Sequence, residues 1–259
     1  MAERTALVTG AASGIGAALV GLLPDAGWRV LALDRAPVPA APDVETLTCD
    51  LTDPAQVAAV VARVRDEVSA VAHVAGVPGT APASTVLAVN VLAARRLIEP
   101  LLGTLDSVVT VASVAQYRSP EPDDVLDELL ACGDAADLDR WLARHPHAGP
   151  AAYDTSKKAL VRWTRLTAGR HIGGARLNAV SPGPVETPIL RDFRTSMGEA
   201  DIDRAAAAVG RHGRPDEVAA AVAFLLGPSA SWIRGVDLPV EGGLLAARAA
   251  AAAAAVVVN

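Results

Sequence analysis

Hydrophobic positions along this chain follow two alternating rhythms. Short, unbroken apolar runs bounded by turn residues read as strands: TALVTG, WRVLALDR, VETLTCD, AVAHVAG, SVVTVASVA, GARLNAVSPG and VDLPVEGG, seven in all. Between them lie longer segments with apolar residues at helical spacing, among them GIGAALVGLLPDAG, DPAQVAAVVARVRDEV and PASTVLAVNVLAARRLIEPLL. Asp53 is placed to cap the second of these, with Pro54 at its first helical position. Strands that are apolar throughout, rather than at every second residue, are buried on both faces, as in a parallel sheet covered by helices. No linker or internal repeat interrupts the rhythm, which predicts one doubly wound α/β domain over residues 1–245.

Two segments depart from it. Residues 117–152 are acidic and partly helical, with Val125, Leu129, Leu130, Leu138 and Leu142 at helical spacing. That spacing predicts a segment that packs on something, as a lid or a subunit contact, rather than a loose loop. The last 14 residues, AARAAAAAAAVVVN (246–259), are low in complexity and stand outside the predicted fold.

Composition narrows the partners. The chain is 51% hydrophobic but only 3% aromatic, so its core is built from Ala, Val and Leu, which lets helices approach a sheet closely. A formal net charge of −6 argues against nucleic acid or an anionic membrane as a partner. No apolar run reaches the roughly 20 residues that span a bilayer, and no basic-then-apolar leader precedes the first strand, so a cytoplasmic protein is expected. Cys49 and Cys132 lie far apart with no CxxC and read as small apolar residues. His145 and His147 suggest a metal site, but no Cys, Asp or Glu cluster completes it.

Candidate chemistry begins with TGAASGIG, which places Gly10, Ser13, Gly14, Ile15 and Gly16 between a predicted strand and a predicted helix. Glycines there let the backbone turn sharply and approach a pyrophosphate, which the helix N-terminus attracts. Asp34 closes the second strand 18 residues beyond Gly16, where a carboxylate accepts ribose hydroxyls and repels a 2′-phosphate, predicting NAD. Arg35 follows at once and favours the phosphate, so NADP stays open. The second signal is YDTSKK: both lysines of the chain, Lys157 and Lys158, stand here among 23 Lys and Arg residues. Tyr153 and Lys157 share a helix face at i, i+4, while Lys158 points elsewhere. An ammonium beside a phenol lowers its pKa and equips it for proton transfer. A compact ammonium also suits ribose hydroxyls better than a broad guanidinium does, which explains lysine in an arginine-rich chain.

TGxxxGxG at Thr9–Gly16, YxxxK at Tyr153–Lys157 and SPGPVET at Ser181–Thr187 together resemble the short-chain dehydrogenase/reductase family, over nearly the whole chain. The resemblance implies a seven-stranded Rossmann-type sheet and hydride transfer between a nicotinamide cofactor and an alcohol or carbonyl. It implies that Ser113 hydrogen-bonds the substrate oxygen and that Asn90 holds a water of a proton relay. By the same likeness Asp50 and Leu51 contact adenine, Ala75 and Gly76 border the cofactor, and Val185 and Thr187, after Pro182 and Gly183, fix the carboxamide. Where many members have NNAG this chain has HVAG, which removes side-chain hydrogen bonds. The 40 residues from Ser113 to Tyr153 exceed the usual spacing, as in the branch with 3α-hydroxysteroid dehydrogenase/carbonyl reductase and coniferyl-alcohol dehydrogenase. That branch implies NAD, a secondary alcohol and its ketone as small-molecule partners, and a homodimer or homotetramer. A cofactor-binding regulator without turnover and an NAD-retaining epimerase or dehydratase stay as alternatives. Residues 188–213 are expected to cover the substrate as a flap, with Phe193 its one aromatic and Arg191 and Arg194 either solvated or facing an anionic group.

Overall fold

The computed structural model describes residues 4–257. Among them seven strands form one parallel sheet in the order β3-β2-β1-β4-β5-β6-β7. They are β1 (Arg4–Thr9), β2 (Trp28–Asp34), β3 (Val44–Thr48), β4 (Ala70–His73), β5 (Ser107–Val111), β6 (Arg176–Pro182) and β7 (Asp237–Val240). Each predicted strand is present. The winding reverses between β1 and β4, and open sheets of this kind take their ligands in the crevice at that reversal.

Side chains of successive strand residues point to opposite faces, and here the two faces differ in size. Leu7, Leu31, Leu33 and Val71 meet helices α2 (Pro54–Val64), α4 (Ala94–Ile98) and α7 (Gly149–Arg170). Ala6, Ala32, Ala70 and Ala72 meet α1 (Gly14–Leu22) and α10 (Pro215–Leu226) on the other side. The small face lets these two helices lie close to the strands. Asp53 caps α2 as expected, accepting from the Ala55 and Gln56 amides.

The single long helix predicted after β4 is broken into three parts. α3 (Ala83–Leu87) runs into a π-helical turn at Ala88–Ala93, and α4 follows. Such widened turns recur at functional sites, and this one contains Asn90.

The 117–152 insert packs on its own domain. Its helices α5 (Asp123–Ala131) and α6 (Ala135–Arg144) bury Leu126, Leu129, Leu138 and Trp141 against Leu87, Val91, Leu92 and Ala159. Val125, Leu130 and Leu142 sit at the margin of that cluster. Arg162 of α7 donates to both oxygens of Asp127 at 2.6 Å, and Lys158 donates to the carbonyls of Ser119 (3.1 Å) and Glu121 (2.7 Å). His145 and His147 flank the Trp141 ring at 5.0 and 5.1 Å and bond Glu128 and Thr155 respectively, which makes them part of this packing. Residues 188–213 form α8 (Leu190–Met197) and α9 (Glu199–Val209), joined at Gly198, whose φ of 91° glycine tolerates. The low-complexity tail is helical: α11 (Leu244–Val257) begins inside the predicted domain boundary, with Leu244 buried and the Leu245 amide bonded to the Glu241 carboxylate. Among the described residues no helix is long and apolar enough to cross a membrane.

Trp141 is fully buried where the insert meets α3 and α7, so Trp141→Ala is expected to cost about 3–5 kcal/mol by the usual scale for emptying an aromatic site. Urea denaturation followed by circular dichroism should show one cooperative transition moved to lower urea, with no separate melting of the insert.

Candidate active site

The chain leaves β1 at Thr9 and turns over Gly10 (φ 70°) and Gly14 (φ 55°) into α1. A side chain at Gly10 would press on the Ala75 amide at 2.9 Å, and one at Gly16 would collide with the Gly10 carbonyl oxygen. Ser13 precedes α1 without spending its side chain on a cap, which leaves the first helical amides for an anion. The Thr9 hydroxyl accepts from the amides of Val74 and Ala75, both at 3.1 Å. Its own proton therefore goes to Nδ1 of His73 at 3.2 Å, and that choice puts the histidine's proton on Nε2. Burial, helped by the Lys157 charge, pushes His73 down to about 3, so it stays neutral.

Asp34 ends β2 with its carboxylate turned to the glycine loop, accepting from the Ala12 amide at 3.0 Å and the Ala36 amide at 2.9 Å. Each oxygen keeps a lone pair for a ligand hydroxyl. Asp34 borders a cleft of about 500 Å³ together with Gly10, Ser13, Gly14, Ile15, Gly16, Asp50, Leu51, Ala75, Gly76, Thr187 and also Arg35. A flush glycine cradle, uncapped helix amides and a carboxylate at the next strand end fit a dinucleotide: Gly14 and Gly16 would seat the pyrophosphate and Asp34 a ribose.

The cleft narrows to a chamber of about 90 Å³, where Ile15, Gly76, Pro182, Gly183, Val185 and Thr187 meet Ser113, Tyr153 and Lys157. Beyond it opens a second cavity of about 610 Å³ that shares Ser113, Tyr153, Gly183 and Phe193. Tyr153 is 5% exposed, with the Phe193 ring 5.1 Å away. Burial raises the phenol above its ordinary range, the Ser113 hydrogen bond opposes this, and the Asp154 charge adds to it. The direction is opposite to the lowering expected from the sequence, because burial dominates; the ammonium lies toward the ring face, 5.6 Å from its centroid. Lys157 donates to the Val111 carbonyl at 3.0 Å, and burial lowers it to about 8. Ser113 accepts from the Ala115 amide at 3.1 Å, which fixes its hydroxyl at the end of β5.

Asn90 lines none of these spaces directly. It is fully buried, and its amide gives both hydrogens to the protein: Val77 carbonyl at 3.1 Å and Ser156 hydroxyl at 3.0 Å. Its Oδ1 accepts from the Val77 amide at 2.9 Å. One Oδ1 lone pair remains, and it faces the same space as Lys157: a Cβ at Gly76 would lie 3.2 Å from both atoms.

A family model described as enoyl-(acyl carrier protein) reductase matches residues 10–245. Coniferyl-alcohol dehydrogenase of Pseudomonas sp. (strain HR199 / DSM 7063) is 32% identical, over 94% of this chain and 97% of the relative. The chain belongs to the short-chain dehydrogenase/reductase family. Cis-4-hydroxycyclohexanecarboxylate dehydrogenase of Sinomonas cyclohexanicum is 33% identical over 95% of this chain and 98% of the relative. The 3α-hydroxysteroid dehydrogenase of Pseudomonas sp. B-0831, solved with NADH, superposes with a TM-score of 0.80 at 35% identity, covering 93% and 96% of the two chains. Membership makes this protein an oxidoreductase of CH–OH groups that works with a nicotinamide cofactor.

Within the short-chain dehydrogenase/reductase frame, HVAG in place of NNAG is compensated in part: Nδ1 of His73 accepts from the Thr9 hydroxyl, while its Nε2 is buried without a hydrogen-bond partner among the described residues. Five contributors were missed in the sequence: Thr9, His73, Ser156, and the pair in which Arg118 donates to both oxygens of Asp154 at 2.9 and 2.6 Å. Thr9 stood inside the glycine motif; no spacing signals the others, which meet only through tertiary contacts. Arg191 and Arg194 are not on the cavity wall; Arg194 pairs with Asp203 at 2.8 Å.

His73 binds its proton far more weakly folded than unfolded. The unfolded chain therefore takes up a proton between the ordinary histidine pKa near ~6.5 and about 3, and stability present above that window is lost as pH falls through it. Denaturation midpoints at pH 5 and pH 8 should differ in that sense, and His73→Gln should reduce the difference.

Proposed function

We propose that this protein is an NAD-dependent dehydrogenase interconverting a ring-borne secondary alcohol and its ketone. One observation carries the reading: Ser113, Tyr153 and Lys157 face the chamber that joins the dinucleotide cleft to the second cavity. The nicotinamide cofactor supplies the hydride acceptor. The chain's own residues manage position and protons. Ser113, held by the Ala115 amide, orients and polarises the substrate oxygen. Tyr153 accepts the alcohol proton in oxidation and returns it in reduction. Lys157, with one hydrogen on Val111, keeps two for ribose hydroxyls and for the path toward Asn90 Oδ1. Phe193, Ile202, Ala205 and Leu244 give the second cavity the apolar wall a ring needs, in keeping with the ring alcohols in the relatives' names. Self-association as a dimer or tetramer accompanies this reading, and Trp232, 98% exposed, is apolar surface available for it.

Tyr153→Phe is expected to retain NAD binding and lose on the order of 10²–10⁴-fold or more in kcat, read from reduced-nicotinamide absorbance with a panel of cyclic secondary alcohols. Because the phenol is raised, wild-type oxidation should climb with pH, and the climb should flatten near 8 as Lys157 loses its charge. Tight NAD binding without turnover across the panel would sink the catalytic reading.

Preference for NAD rests on Asp34 in the cleft, against Arg35 beside it. Asp34→Ser is expected to narrow the Kd ratio of NADP to NAD by about tenfold or more, from the usual strength of a hydrogen bond to a charged group. Equal or tighter NADP binding by the wild type would overturn the preference.

A further inference from the structure

The second cavity is bordered by five charged side chains: Arg118, Asp154, Asp201, Arg204 and Arg248. Four of them cancel in pairs. Arg118 chelates Asp154, and Arg204 bonds Asp201 one helical turn away. Arg248, brought in by α11, has no hydrogen bond or ion pair among the described residues, so the wall carries an uncompensated positive charge in a chain whose net charge is −6. On the same wall the Ser196 hydroxyl is buried with no hydrogen-bond partner among the described residues. A free guanidinium and an unspent hydroxyl in the cavity that holds Ser113 and Tyr153 are recognition groups without a protein ligand, and a guanidinium fork matches a carboxylate.

We infer that the substrate is a ring alcohol that also bears a carboxylate, bound by Arg248 with Ser196 while its hydroxyl lies against Ser113 and Tyr153. This rests on the dehydrogenase reading for the second half of the statement only. The segment that the sequence pattern left outside the fold thus sets substrate choice. Arg248 touches the substrate's anionic end and none of the reacting atoms, so it governs binding and specificity.

The test compares cyclohexaneacetate with cyclohexaneacetamide, binding to the NADH-loaded protein by calorimetry, and NAD reduction by their 4-hydroxy derivatives. Wild type should hold the carboxylate about tenfold or more tighter than the amide, the order expected for a charge-assisted bond discounted for solvent exposure. Arg248→Ala should bring the two within about twofold, and Arg248→Glu should reverse the order; Arg248 is exposed, so neither change empties the core. Equal binding of acid and amide by wild type, binding of neither, or a preference that survives in Arg248→Ala would each overturn the inference. Carboxylate preference with no oxidation of either 4-hydroxy probe would count against the dehydrogenase reading and leave the anion site standing.

Discussion

Burying the ammonium of Lys157 is the constraint around which the site is built. A charge that is 4% exposed must be met by acceptors, and the protein supplies one firm partner, the Val111 carbonyl. Nearby groups then arrange themselves to avoid a second cation. His73 is kept neutral by burial and by Lys157 itself, and the count of hydrogens at Thr9 selects its tautomer. The π-helical turn places the carbonyl end of the Asn90 amide beside the ammonium by spending both amide hydrogens elsewhere. Gly76 is the residue that leaves room between them. What remains open on Lys157 faces the chamber, so the cost of burial is offset only when hydroxyls arrive there.

The sheet delivers these groups because it is parallel and level at its carboxyl ends. Thr9 pairs with both Leu33 and His73, so the glycine loop, Asp34 and the HVAG turn leave the sheet at the same height. The alanine face beneath α1 brings the helix amides down to that height. Fold and site are therefore one arrangement largely of small residues, with Trp28 and Trp163 the aromatic rings of the core on either side of the sheet.

Most of this frame was legible in the sequence. Seven apolar runs became seven strands; burial on both faces accounts for the five inner ones, while the edge strands β3 and β7 read as apolar runs yet are only partly buried. The glycine loop and the Tyr153–Lys157 spacing marked the site because both depend on local geometry. What escaped depended on distant contacts. A π-helical turn has no propensity signature, and the partner of the insert could not be read from the spacing of its leucines; two buried residues of the insert, Leu126 and Trp141, went unremarked. The direction of the Tyr153 shift was misjudged because sequence shows the charged neighbour and hides the burial. The alanine-rich tail was set aside on composition, yet its first turn is anchored by Leu244 and Glu241.

The two lysines end up behind different doors. Lys157 lines the chamber between the dinucleotide cleft and the second cavity, whereas the half-buried Lys158 amine is held by carbonyls at the base of the insert. An acylating reagent aimed at amines would thus find no freely presented lysine on the folded surface. Modification at Lys157 would report vacancy of that chamber, and modification at Lys158 would count molecules in which the insert has come away. Arginine elsewhere makes the chain almost silent to such reagents, so two labelled peptides would separate ligand occupancy from local opening in a single digest.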